Sequence, residues 1–150
     1  PGGLDPYLAE AMAGAGCREV SIGFESGSDS MLRRMKKQYA LDAVRRAADL
    51  LRGHHIRRMG FLLLGGPGET KESVRESLAF AEELELDALK LSVGIRIYPN
   101  TNVSRLAREE GLISSDQDLL EPRFYVVRDL EEWIHDTVAR YINHKPHWTL

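Results

Sequence analysis

Val20-Ser21-Ile22-Gly23-Phe24-Glu25-Ser26-Gly27-Ser28 is an apolar strand that runs directly into a carboxylate, a hydroxyl and a glycine. A buried strand ending this way sets Glu25 and Ser26 at its carboxyl tip, where α/β folds gather their ligands. Two later stretches share the form. Phe61 to Leu64 ends in Gly65-Gly66-Pro67-Gly68-Glu69, and a strand over Ala88 to Ile97 ends in Tyr98-Pro99-Asn100-Thr101. Three strand-to-loop junctions with polar or glycine-rich chemistry predict one shared site.

Helices alternate with these strands, the pattern of parallel βα units. Asp5 and Pro6 start a helix with a Leu8, Met12, Ala15 stripe that Gly14 and Gly16 bring to an end. Ser28 and Asp29 cap a helix carrying Met31, Leu32 and Met35, and Val44, Ala47, Ala48 and Leu51 mark the next, which ends at Gly53. The near-continuous apolar run Met59 to Leu64 predicts a strand covered on both faces. Thr70 caps a helix with Val74, Leu78, Ala81 and Leu84 on one face. A helix over Ser104 to Glu110, an irregular stretch containing Pro122 and Phe124 to Val127, and a last helix from Leu130 to Ile142 follow. The tail from His144 reads as weakly ordered.

The chain has 150 residues, 43% hydrophobic and 29% charged, which suits one soluble domain. No apolar run approaches the roughly 20 residues that span a bilayer, and no leader marks secretion, so a cytoplasmic home is the default. A single cysteine, Cys17, excludes an internal disulfide and any multi-thiolate metal site built from this chain alone. Cys17 reads as core packing, and the five histidines form no ligand set. Nine Lys/Arg lie between Arg33 and Arg58. A phosphate or RNA surface and a solvated helix face are the two readings, and the absence of interleaved aromatics favours the second.

Each junction carries two readings. Glu25 and Ser26 can accept hydrogen bonds from a diol such as a ribose, with Gly27 admitting a ligand close to the backbone, or the trio can cap the next helix. The glycine turn can offer backbone N–H groups to an adenine or a carboxylate, or simply turn the chain, with Glu69 favouring the helix start. Alternation puts Arg96 and Tyr98 on one side of their strand. Arg96 can meet a carboxylate and Tyr98 a base, or both can line an ordinary strand end. About three parallel strands with flanking helices do not close a barrel, and the chain begins on a helix. The fold class is therefore α/β, a partial parallel (β/α) barrel with a C-terminal helical extension. An unpaired strand edge predicts self-association.

The three junctions, in this order and spacing, resemble the radical S-adenosylmethionine superfamily, nearest its cobalamin-binding-type branch. The resemblance rests on Ala15 to Asp29 followed by Leu32 and Met35, on Phe61 to Thr70, on Tyr98-Pro99-Asn100-Thr101 and on Leu120 to Tyr125. Asn100 stands where the family has glycine. The resemblance implies that residues 1–112 are the second half of a TIM-type barrel and 113–150 an extension packing on it. It implies S-adenosylmethionine contacts from Glu25 and Ser26 (ribose or methionyl part), Leu63 and Gly65 (adenine), and Tyr98 and Pro99 (adenine border).

The family's Cys-x-x-x-Cys-x-x-Cys is absent, so a [4Fe–4S] cluster would be held outside this chain. Cobalamin is a further cofactor of the branch. The implied activity is reductive cleavage of S-adenosylmethionine to a 5′-deoxyadenosyl radical, with a small-molecule or lipid-like substrate preferred over nucleic acid and this piece inactive alone. A tRNA-modifying methylthiotransferase and a non-catalytic α/β interaction module are the alternatives.

Overall fold

The computed structural model describes residues 2–150. Elements follow in the order α1 (Pro6–Gly14), β1 (Glu19–Glu25), α2 (Asp29–Arg34), α3 (Leu41–Gly53), β2 (Arg57–Leu64), α4 (Lys71–Glu83), β3 (Ala88–Val93), β4 (Ile95–Arg96), α5 (Asn102–Glu109), β5 (Phe124–Tyr125), α6 (Glu131–Ile142) and β6 (Trp148–Thr149). Strands β1, β2, β3 and β6 form one parallel sheet in that order, and β4 pairs with β5 in a small antiparallel ladder. Local chemistry fixes the helix starts. The Asp5 carboxylate accepts from the Leu8 N–H at 2.8 Å, and Thr70 with Ser73 and Thr101 with Ser104 exchange reciprocal capping bonds.

Alternation splits the sheet into two unlike faces. Ile22, Phe24, Leu62, Leu64, Leu89 and Leu91 are buried in one core with Val44 and Leu51 of α3, Val74 and Leu78 of α4, and Ile134 and Val138 of α6. Gly60 allows this packing, because a Cβ there would lie 2.4 Å from Leu86 Cδ1 and 2.8 Å from Leu89 Cδ1. On the opposite face, Ser21, Lys90 and Ser92 are exposed while Met59, Phe61 and Leu63 are half-buried. The expectation that β2 is covered on both faces is therefore corrected. Its apolar alternate residues have no helical layer over them.

Two other expectations change. The third strand stops at Val93 because Gly94 takes φ +87°, and the chain re-enters a ladder only at β4. The tail is a fourth strand. Trp148 is buried, pairs with Leu89 and stacks on Tyr141, with Lys145 over both rings at 4.8 and 4.3 Å. Burial of the Trp148 ring and its stacking on Tyr141 offset the cost of ordering the tail and tie it to the sheet. A second small core of Ile97, Ala107, Ile113 and Tyr125 supports the β4–β5 ladder.

Candidate functional site at the carboxyl ends of the strands

The β1 tip is irregular. Pairing with β2 slips between Gly23 and Glu25, and Glu25 takes φ 63°, a left-handed conformation that costs a non-glycine residue about 1 kcal/mol or more. The bend carries the Glu25 carboxylate back over Gly23, where an added Cβ would lie 3.1 Å from Oε1. Lys37 Nζ sits 3.4 Å from the same oxygen, with both side chains about one third exposed. The Tyr39 hydroxyl donates to the Gly23 and Phe24 carbonyls at 3.1 and 3.3 Å. Burial, and then the Glu25 charge, raise the Tyr39 pKa.

Ser26 and Gly27 turn the other way. Ser26 is fully buried; its hydroxyl pairs with the Ser77 hydroxyl at 3.0 Å and accepts from the Ser28 N–H at 3.1 Å. The Gly27 N–H donates to Ser77 Oγ at 3.0 Å, and a Cβ on Gly27 would fall 2.5 Å from Phe80 Cβ. This glycine is needed for the approach of α4. The expected ligand approach at Gly27 is replaced by packing. Of the tip residues, Glu25 is the one that offers charge to the open face.

At the β2 turn, the expected free N–H groups are already engaged. Glu69 Oε2 accepts from the Gly65 N–H and, at 3.1 Å, from the Gly66 N–H, while Oε1 is buried without a partner. Burial pushes the Glu69 pKa up to about 7 against the lowering effect of the two backbone bonds. The Gly65 carbonyl accepts from the Val127 N–H at 3.0 Å, and a Cβ on Gly65 would lie 3.2 Å from Val126 Cγ1. Leu63, one residue before Leu64, keeps its side chain on the half-open face.

The β3 exit is the most open junction. Tyr98 is 53% exposed, Pro99 is exposed, and the Arg96 guanidinium lies 5.1 Å from the Tyr98 ring centre. Asn100 adopts φ 61°. Asparagine tolerates that conformation better than most side chains, which accounts for the departure from glycine.

The β2 turn lies against the end of α2 and the chain that follows β3. A Cβ on Gly66 would lie 2.8 Å from Ile95 Cδ1 and 3.9 Å from Met35 Cε, and one on Gly68 would lie 2.6 Å from Arg34 Nη1. Of the nine basic residues between Arg33 and Arg58, Lys37, Arg45, Arg52, Arg57 and Arg58 pair with carboxylates. Arg33, Arg34, Lys36 and Arg46 have no carboxylate within 4.0 Å among the described residues, and Arg33, Arg34 and Lys36 are exposed. Among the described residues no group of three or more His, Cys, Asp or Glu is placed to hold a metal ion, and Cys17 packs against the main core.

Sequence reasoning missed Lys37, Tyr39, the inward turn of Glu69, and Val126. Glu69 was accessible in principle, since a carboxylate four residues after Gly65 can reach back to the turn's N–H groups. Lys37 and Tyr39 follow Glu25 across a short helix and bear no periodic signal.

The sequence model of the Radical SAM superfamily matches residues 1–81. An uncharacterized methyltransferase of Pyrococcus horikoshii is 32% identical over 110 residues, spanning 71% of this chain and 23% of that protein. The radical S-adenosylmethionine methyltransferase TsrM of Kitasatospora setae, solved with cobalamin and a [4Fe–4S] cluster bound, superposes with TM-score 0.65 at 28% identity over 72% of this chain and 22% of its own. Coproporphyrinogen III oxidase of Escherichia coli, a radical SAM enzyme, shares the fold over 94% of this chain and 30% of its own, at TM-score 0.67 and 15% identity. The chain thus spans less than a third of each of these relatives. With the family model covering more than half of its residues, and the expected parallel α/β sheet in place, the chain belongs to the radical SAM superfamily.

Proposed function

We propose that this chain is the second half of the barrel of a longer radical SAM enzyme of the methyltransferase type, and forms one wall of its S-adenosylmethionine site. Residues 1–112 supply the strands in this reading and residues 113–150 the extension packed on them. The observation that carries the proposal is the Glu25 carboxylate, held in a strained left-handed tip over Gly23 beside Lys37 on the open face. A carboxylate next to an ammonium suits a ligand with a diol at one end and a zwitterionic amino acid at the other.

The fit differs between the two cofactors. For S-adenosylmethionine, Glu25 would accept from the ribose hydroxyls, Lys37 would face the carboxylate, and Leu63 would lie against the adenine, with Gly65, Tyr98 and Pro99 at its border. Ser26 acts through the turn it ties to Ser77, because its hydroxyl is committed there. For the cluster, the donor set does not fit, because three thiolates are required and Cys17 is alone. In this reading the cluster's ligands lie outside this chain, and cobalamin is a candidate further cofactor of the longer enzyme. S-adenosylmethionine supplies the radical or the methyl group; this chain binds, orients and excludes water. No helix among the described residues is long and apolar enough to cross a membrane. A small-molecule or lipid-like substrate and a cytoplasmic setting complete the proposal.

The test is binding of S-adenosylhomocysteine to the intact protein by calorimetry. Glu25→Gln removes charge-assisted hydrogen bonds worth about 1.5–3 kcal/mol and is expected to weaken binding roughly 10- to 100-fold. Unchanged affinity refutes the assignment. The 150-residue chain by itself, supplied with iron, sulfide, reductant and S-adenosylmethionine, is expected to release no 5′-deoxyadenosine.

A further inference from the structure

Glu25 is the strained point of the β1 tip. The Ser26 N–H donates to the Phe24 carbonyl at 2.7 Å, closing a three-residue turn around Glu25 at φ 63°. Turns of this length with a positive φ at the centre are rare and strained. Such strain persists only where the surroundings over-determine the backbone. On the far side of the turn, the buried Ser26 hydroxyl and the Gly27 N–H are both tied to Ser77 Oγ. On the near side, the hold comes from the chain between α2 and α3. Lys36 takes φ 55° and the Lys37 N–H donates back to the Leu32 carbonyl at 2.9 Å, which ends α2 and redirects the residues that follow. Tyr39 then packs against the main core, and its hydroxyl reaches the Gly23 and Phe24 carbonyls at 3.1 and 3.3 Å. Phe24 is the residue that the β1–β2 register skips, and its carbonyl is the one that closes the turn.

We propose that Tyr39 is a positioning residue for Glu25: its hydroxyl fixes the slipped backbone, and through it the direction in which the carboxylate meets a ribose diol. The inference rests on the reading above and deepens it by naming what orients the acid. An irregularity of this kind re-aims a side chain, and the aim is only as sharp as the backbone is fixed. The Tyr39 hydroxyl ties together the two peptide planes on either side of Phe24, and its ring is anchored in the core. Lys37 does not replace this hold. Its ammonium lies 3.4 Å from Glu25 Oε1 in a pair about one third exposed, which is weak and leaves the backbone unrestrained. Burial, and then the Glu25 charge, keep the Tyr39 pKa above its ordinary 10, so the hydroxyl retains its proton and stays a donor. That proton goes to the backbone, which leaves the carboxylate oxygens to Lys37 and a ligand.

The experiment measures, by calorimetry on the intact protein, the affinity for S-adenosylhomocysteine and for its 2′-deoxyadenosyl counterpart. The missing hydroxyl is expected to cost the wild type roughly 10-fold or more, and Glu25→Gln to remove most of that cost. Tyr39→Phe keeps the ring and loses only the phenolic hydroxyl. It is expected to shrink the 2′-hydroxyl preference at least about threefold, as coupled groups do in a double-mutant cycle. Tyr141→Phe removes a tyrosine hydroxyl that meets Glu82 at 3.1 Å, away from the strand tips, and is expected to keep the full preference. In the free protein, the Ser26 N–H that closes the turn is expected to exchange with solvent roughly fivefold faster in Tyr39→Phe and unchanged in Tyr141→Phe. Weakening of both ligands by one common factor in Tyr39→Phe overturns the positioning role, because a merely structural hydroxyl is not coupled to a single ligand atom. Unchanged exchange at Ser26 overturns it too. A preference that Glu25→Gln leaves intact refutes the cofactor reading and this inference with it, whereas one that Glu25→Gln removes and Tyr39→Phe keeps overturns the Tyr39 assignment alone.

Discussion

Glu69 makes the protein less stable as pH rises through neutrality. Its carboxyl is enclosed behind the glycine turn, with Oε2 shared by two backbone N–H groups and Oε1 unpartnered, and its pKa stands near 7 against an ordinary 4.5. A raised folded-state pKa means that the native protein binds the proton more tightly than the unfolded chain. The contribution is fully present below about pH 4.5, falls through the interval up to about 7, and is absent above it. The difference of about 2.5 units corresponds to ~3 kcal/mol at 1.36 kcal/mol per unit. Glu69→Gln keeps the shape and the acceptor oxygen but cannot ionise. Urea unfolding of both proteins at pH 5, 6, 7 and 8 isolates the effect. The depressed carboxyls of Glu82, Glu83, Asp87 and Asp118 act in the opposite direction and cancel in the comparison. The wild type is expected to lose about 2–3 kcal/mol relative to the variant between pH 5 and 8. A difference that stays flat across that range refutes the picture of a dry, half-satisfied carboxyl.

Gly27→Ala places a methyl 2.5 Å from Phe80 Cβ and 2.7 Å from Ser77 Cα, and is expected to destabilise by roughly 1–3 kcal/mol or more in urea melts. A neutral result would mean that α4 is not seated on the β1 exit. Trp148→Ala removes a buried ring that stacks on Tyr141, with an expected loss of about 3–5 kcal/mol and rapid proteolysis of the residues after Ile142. If the tail stays protease-resistant, β6 does not depend on that ring.

The repeated strand-then-loop pattern made the parallel sheet legible before any coordinates. It worked for β1 and β2 because apolar runs bounded by glycine leave little choice of element. It failed at β3, where Val93, Ile95 and Ile97 read as one strand although Gly94 turns the chain between them. It failed also at the C-terminus, where a two-residue strand gives no periodic signal and Trp148 is held by distant Tyr141 and Leu89. At the site, the charge of Glu25 was visible in the sequence, but which way Ser26 faces was not. Alternation does not survive the register slip after Gly23, so the neighbour of an outward carboxylate became a buried hydroxyl on Ser77. The nine basic residues show the same limit, because ion pairs such as Arg45 with Glu83 join positions far apart in the chain.

The glycine turn after β2 looks from its composition like a cradle for phosphate oxygens, yet its first two N–H donors are taken by the protein's own acid. An internal acid seated on those donors leaves the turn without the backbone N–H groups that a phosphate oxygen needs, and once ionised it repels any anion brought to it. The turn is thereby closed to the role its glycines suggest, and it opens to anions only if the Glu69 side chain swings away from it.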